Sequence, residues 1–182
     1  MLPEETAIPM HDSSAPSRFL IEQAQHLPST GRALDIACGA GRNALFLAER
    51  GLEVTGLDRD EEALALARQR AEEKGLSIEW RSQELEEGWQ PERESQDVIV
   101  VARYLHRPML PSLARGLRPG GLLVYTTFTL EQRELGRPKC VRFLLQPNEL
   151  LREFSGLHVR AYFEGIRDGK AVAELLAEKP RP

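Results

Sequence analysis

Apolar positions change their period along this chain, and each change marks an element. Phe19, Leu20 and Ala24 recur at helical spacing, which predicts a short helix over Ser17 to His26. Ala33–Ala37 is a brief apolar run, predicting a first strand after the break at Gly31. Ala44-Leu45-Phe46-Leu47-Ala48 then predicts a helix that starts at Arg42 and stops at Gly51. Glu53–Leu57 reads as a second strand. Asp60 caps a long helix carrying Ala63, Leu64, Ala67 and Ala71 on one face, ended by Gly75. Leu76–Trp80 reads as a third strand, followed by a polar loop from Ser82 to Ser95.

Val98–Ala102 is nearly all β-branched, as expected of a strand covered on both faces. Pro108 opens a helix holding Leu110, Leu113, Ala114 and Leu117. Arg118-Pro119-Gly120-Gly121 reads as a hard turn before a fifth strand, Leu122–Phe128. Pro147 starts a helix that runs through Phe154 and ends at Gly156. His158–Phe163 and Ala171–Ala177 flank a turn at Gly165-Ile166-Arg167-Asp168-Gly169. Strands thus alternate with helices five times before a closing hairpin. The pattern predicts an α/β protein with a doubly wound, mostly parallel sheet of seven strands, one of them antiparallel. The ligand site of such a sheet lies outside the carboxyl ends of the first strands, where Asp35, Asp58, Glu84 and Ala102–Tyr104 fall.

Composition narrows this picture. A chain of 182 residues is most simply one domain, predicted over 16–182 behind an irregular arm over 1–15. A net charge of −4 without any Lys/Arg-rich block argues against direct binding of a nucleic-acid backbone. Cys38 and Cys140 have neither metal-ligand spacing nor a disulfide framework, so no metal site is expected and the cytoplasm fits best. The start of the chain lacks a signal core, and no apolar run approaches a membrane span. The sequence leaves the oligomeric state open.

The richest chemistry lies in Leu34-Asp35-Ile36-Ala37-Cys38-Gly39-Ala40-Gly41-Arg42-Asn43. A strand that turns through Gly39 and Gly41 into a helix lets a ligand approach bare backbone. Asp58 follows at the spacing of a carboxylate that grips ribose hydroxyls. A nicotinamide enzyme would show a similar turn, and Gly39-Ala40-Gly41-Arg42-Asn43-Ala44 fits its pattern. Against it stand the missing second domain and Asp35, four residues before Gly39, where a carboxylate repels a pyrophosphate. An acid there suits a nucleoside with an ammonium group and no phosphates, such as S-adenosylmethionine.

Over nearly its whole length the chain resembles the class I S-adenosylmethionine-dependent methyltransferases. The resemblance rests on the Leu34–Asn43 block and its helix, on the Leu117-Arg118-Pro119-Gly120-Gly121 turn, and on the closing hairpin. The run from Leu34 to Gly51 and Gln146–Leu151 are similar to the tellurite-resistance-type branch. The resemblance implies that Asp35 orients water or the methionine ammonium. It places Ala37 and Gly39 against the methionine and ribose, with Gly41 and Asn43 in the same loop. It gives Asp58 the ribose hydroxyls, Arg59 a place near the adenine, Glu84 and the Leu85 backbone the adenine amine, and Ala102 the methionine moiety. The chain departs from the family at Ala37, where glycine is common, and at Glu84, where aspartate is usual. Ile166-Arg167 stands where some members of the branch carry His-Arg.

The implied activity is methyl transfer from S-adenosylmethionine, leaving S-adenosylhomocysteine, to a small-molecule acceptor, with a thiol or chalcogen suggested by the branch. The alternatives are a non-catalytic cofactor-binding module or sensor and, more distantly, an NAD-dependent oxidoreductase. Such transfer needs alignment and dryness more than acid–base chemistry. His106 and Tyr104 are the candidate base or positioner, against a reading in which they only cap the next helix. Arg18, Arg103 and Phe128 are the candidate acceptor contacts, and His11 lies on an arm that could fold over the pocket.

Overall fold

The computed structural model describes residues 14–182. The predicted arm, His11 included, lies almost wholly outside the described residues. Seven strands form one sheet in the order β3-β2-β1-β4-β5-β7-β6. They are β1 (Arg32–Ile36), β2 (Glu53–Asp58), β3 (Glu79–Ser82), β4 (Gln96–Ala102), β5 (Leu117–Phe128), β6 (His158–Arg167) and β7 (Lys170–Glu178). Neighbours among β1 to β5 pair in parallel, and β7 runs antiparallel to both β5 and β6. This is the predicted doubly wound sheet with one antiparallel strand.

The β-branched run explains the centre. Val98, Ile99, Val100 and Val101 of β4 are fully buried between β1 and β5. Successive strand residues face opposite ways, so the run feeds two cores. Ile99 and Val101 join Ile36, Tyr125 and Phe154, against the helix α4 (Leu110–Gly116) and the end of α6 (Glu149–Glu153). Val98 and Val100 join Phe19, Leu20, Ala44 and Leu47, against α1 (Arg18–Glu22) and α2 (Arg42–Glu49).

Several boundaries move for local reasons. The first predicted helix is cut to α1 and followed by a 3₁₀ turn, Ala24–His26. Asp60 caps α3 (Glu61–Glu73) as expected, accepting from the Glu62 and Ala63 N–H groups at 3.0 and 3.1 Å. The helix ends in a Schellman motif: Gly75 N–H donates to the Glu72 carbonyl and Leu76 N–H to that of Ala71. Leu76 is therefore committed to the helix end, and β3 begins at Glu79 rather than at Leu76. The predicted hard turn at residues 118–121 is an irregularity inside β5. Leu117 already pairs with Gln96, and Gly120 and Gly121 exchange backbone hydrogen bonds with Lys179. At residues 147–148 Asn148 takes a left-handed φ of 57°, so α6 starts at Glu149 instead of Pro147. The short α5 (Gln132–Leu135) follows β5.

Trp80 on β3 ties the edge of the sheet to the glycine loop. A Cβ on Gly56 of β2 would stand 2.6 Å from two of its ring atoms and 3.1 Å from the Cys38 sulfur. A Cβ on Gly41 would stand 2.5 Å from the same ring. The indole therefore packs on bare backbone at two places. Gly56→Ala is expected to destabilise the fold by about 1–3 kcal/mol through overpacking, since the ring packs on a second glycine and the Cys38 sulfur also lies close. Urea unfolding should show a lower midpoint with an unchanged slope.

Candidate functional site

The chain leaves β1 through a loop that turns left-handed three times in five residues: Ala37 (φ 54°), Gly39 (φ 54°) and Gly41 (φ 77°). Gly41 closes the loop as the N-cap of α2. Ala37 holds the same handedness with a Cβ, a conformation that an ordinary side chain disfavours. The loop is held from three sides. Cys38 N–H donates to the Leu57 carbonyl at 2.9 Å. Arg70 of α3 donates to the Ala40 carbonyl at 3.2 Å. Asp58, at the end of β2, accepts the Gly39 N–H at 2.7 Å through Oδ2 and the Asp60 N–H at 2.9 Å through Oδ1.

Over this loop opens a cavity of about 450 Å³. One wall is the loop and the first turn of α2. Asp58 to Asp60 and Gln83 to Glu86 form the second wall, and Ala102 to Leu105 the third. Thr127 and Phe128 of β5 close the far side together with Pro138 and Phe143. The volume falls within the ordinary range of small-molecule sites.

Most of the sequence candidates converge here. Ala37, Gly39, Asn43, Asp58, Arg59, Glu84, Leu85, Ala102, Arg103, Tyr104 and Phe128 all line the cavity. Four others do not. Asp35 is buried behind the loop. Gly41 is taken up by Trp80. His106 lies on the way into a 3₁₀ turn, Arg107–Met109, away from the lining. Arg18 lines a smaller neighbouring cavity and is held by Glu22 and Asp168. Asn43 has a structural task as well: its side-chain oxygen accepts the Ser17 N–H at 2.8 Å, pinning the start of α1 to α2. Sequence reasoning passed over Arg70, Pro138 and Phe143, which come from segments without a recognisable motif.

Electrostatics separates the candidates. Burial pushes the Asp35 carboxyl up to about 7, against the pull of the Ala44 N–H and Arg42, with Asp58 adding to the rise. Its Oδ2 has no hydrogen-bond partner among the described residues. Burial also raises the Cys38 thiol, helped by Asp35 and Asp58, so it is no nucleophile at neutral pH. Tyr104 is pushed up to about 12 by burial and by Glu86 and Glu84, and its hydroxyl too has no hydrogen-bond partner among the described residues. Arg59 and Glu84 face each other at 3.6 Å, an exposed pair of little energetic weight. Among the described residues no cluster of His, Cys, Asp and Glu could hold a metal ion, and no helix is long and apolar enough to cross a membrane.

Comparison with known proteins agrees with this geometry. Residues 33–121 match the family described as "Methyltransferase domain". A "Ubiquinone biosynthesis O-methyltransferase" of Hahella chejuensis is 33% identical over 124 residues, covering 65% of this chain and 52% of its own length. The chain thus spans about half the length of the curated relatives it matches. The crystal structure of TehB from Haemophilus influenzae superposes with a TM-score of 0.74 at 22% identity, over 93% of this chain and 64% of that one. A structure of an S-adenosylmethionine-dependent methyltransferase from Methanosarcina mazei gives 0.68 at 21% identity, over 87% and 97% of the two chains.

Asp35 makes folding pH-dependent in a defined direction. Its folded pKa of about 7 lies above the ordinary 3.8, so the acid is favoured by folding and the carboxylate is not. Its contribution is complete below about pH 4 and is lost as the pH rises through about 7. Asp35→Asn should therefore gain stability over wild type between pH 5 and pH 8, by about 2–4 kcal/mol. Urea titrations of both proteins across that range check it, and a constant difference would refute it.

Proposed function

We propose that this chain, on its class I S-adenosylmethionine-dependent methyltransferase fold, methylates a small-molecule acceptor, with residues 16–182 acting as one cofactor-binding domain. The observation that carries the reading is Asp58 at the mouth of the cavity. Its two oxygens spend one acceptor site each on the Gly39 and Asp60 N–H groups. A carboxylate has about four such sites. Two therefore remain for a vicinal diol, which is what the ribose of the cofactor presents.

The other residues fit the same ligand. Glu84 and the Leu85 backbone lie on the adenine side with Arg59. Gly39, Ala37 and Ala102 lie along the methionine side, joined by Asn43 at the start of α2 and by Gly41, which shapes the turn. Asp35 acts from behind the loop, with a partnerless oxygen available to a water that meets the ammonium group. When bound, S-adenosylmethionine supplies a methyl group already activated by its sulfonium.

The protein's share is then alignment and exclusion of water. Phe128 and Phe143 wall off the far side. Tyr104 keeps its proton at neutral pH, so it positions the acceptor by donating a hydrogen bond instead of acting as base. His106 stands off the lining and takes no direct part. The relatives' names favour an oxygen acceptor over the thiol or chalcogen that the branch resemblance suggests.

Calorimetry tests the reading first. S-adenosylhomocysteine should bind wild type, and Asp58→Ala should weaken it at least about tenfold, the worth of about 1.4 kcal/mol. Absence of binding to wild type sinks the proposal. Binding without transfer to any member of a panel of phenols, catechols and thiols would leave a cofactor-binding module instead. With a turned-over acceptor, Tyr104→Phe should lower kcat/KM about 3- to 10-fold, the worth of one hydrogen bond. The pH profile should stay in place, whereas a displaced profile would make Tyr104 a base.

A further inference from the structure

A second cavity of about 120 Å³ adjoins the first and shares four lining residues with it: Arg42, Arg103, Thr127 and Phe128. It therefore opens from the side of the main cavity opposite Asp58 and Glu84. Its lining brings together five cationic side chains and two carboxylates, in a chain whose net charge is −4.

The carboxylates are already engaged. Asp168 pairs with Arg18 at 3.0 Å. Glu174 lies 2.8 Å from Arg167, an ion pair whose angle does not make a hydrogen bond. Glu22, just outside, pairs with both Arg18 and Arg167. Two cations are left over. Arg103 and Lys170 make no side-chain hydrogen bond or ion pair with any described residue. A third, Arg42, donates among the described residues only to the Ala15 carbonyl, at 3.2 Å.

Arg42 and Arg103 stand close enough to repel, while Arg103 and Lys170 are exposed at the cavity's edge. Arg42 is half-buried, and burial lowers its proton affinity, with a further lowering by the nearby Arg103 and an opposing pull from Asp35. Arg103 sits in a left-handed backbone conformation (φ 56°), fixed by its N–H on the Thr126 carbonyl at 2.8 Å. Strained backbone that aims a charged side chain at a cavity has to be held by its surroundings. Like charges so placed gain when an anion lies between them, through charge-assisted hydrogen bonds.

We propose that this annexe holds the anionic group, a carboxylate or similar oxyanion, of the methyl acceptor, bound by Arg103, Arg42 and Lys170. The inference rests on the methyltransferase reading and adds the acceptor's charge class to it. The acceptor lies with its nucleophilic atom in the main cavity and its anion beyond Phe128. The methionine carboxylate of the cofactor has the same chemistry. Lys170, which lines the annexe but not the main cavity, favours the acceptor as the source.

Benzoate and its neutral isostere benzamide test this, titrated into protein saturated with S-adenosylhomocysteine and followed by amide NMR. Benzoate should bind at least about tenfold more tightly than benzamide. Lys170→Gln and Arg103→Gln should each weaken benzoate about 5- to 10-fold and leave benzamide unchanged. The spectra themselves report whether each variant is folded. Lys170→Gln should keep the wild-type affinity for S-adenosylhomocysteine. Equal binding of the two probes, no binding of either, or a preference that survives both substitutions overturns the proposal. Benzoate that binds only without S-adenosylhomocysteine, together with Arg103→Gln losing affinity for it, assigns the anion site to the methionine carboxylate and overturns the acceptor assignment. Failure of S-adenosylhomocysteine to bind wild type would defeat the methyltransferase reading alone, because a charge preference in the free protein would still reveal the anion site.

Discussion

The 2.7 Å hydrogen bond from the Gly39 N–H to the Asp58 carboxylate connects the two crossovers on which the site is built. A loop that turns left-handed at Ala37, Gly39 and Gly41 has few internal hydrogen bonds with which to hold itself. Asp58 supplies an anchor from the neighbouring strand and simultaneously fixes the chain that leads into α3 through the Asp60 N–H. The same carboxylate is the group the ligand is proposed to meet. Scaffold and proposed recognition thus share one carboxylate, at the end of a strand that already pairs with β1.

The sheet was legible because its strongest signals are local and redundant. Val98 to Val101 can hardly be anything other than a doubly covered strand, and Asp60 followed by an apolar helical face announces its own cap. What failed locally failed through hydrogen bonds that pattern does not reveal: Leu76 is apolar but spent on closing α3, and residues 118–121 look like a turn until Lys179 pairs with them. That Gly39 and Asp58 share one cavity was legible from the spacing of Asp58 after Gly39 along one βαβ unit. Tyr104 and His106 lie two positions apart on one loop, and only coordinates separate the residue that lines the cavity from the one that does not. Arg42, Arg103 and Lys170 come from three distant segments, so no spacing rule could have joined them.

Charge behaves in the same way. The acidic balance of the chain describes its surface at large, whereas the annexe is a local inversion of it. Two of its five cations are neutralised in a network running from Arg18 through Glu22 to Arg167 and Glu174. That network fixes the walls with Arg103 and Lys170 left unpaired at its rim. Behind the loop, Asp35 is a carboxyl whose buried oxygen lacks a hydrogen-bond partner among the described residues, with Arg42 the nearby cation that favours its charged form.

The indole of Trp80 has a consequence for how this protein can change over generations. It rests on Gly41 and Gly56 together, so the three positions form one unit of inheritance. Enlarging either glycine first meets the ring, and trimming the ring first opens a void beneath the loop. A lineage that exchanged Trp80 for a smaller side chain would relieve position 56 of its tightest contact, leaving the Cys38 sulfur at 3.1 Å as the limit on a small side chain there. Position 41 would stay glycine even then, held by its left-handed φ. Within related chains, a small side chain in place of glycine at 56 should therefore travel with a smaller residue at 80, while 41 stays fixed.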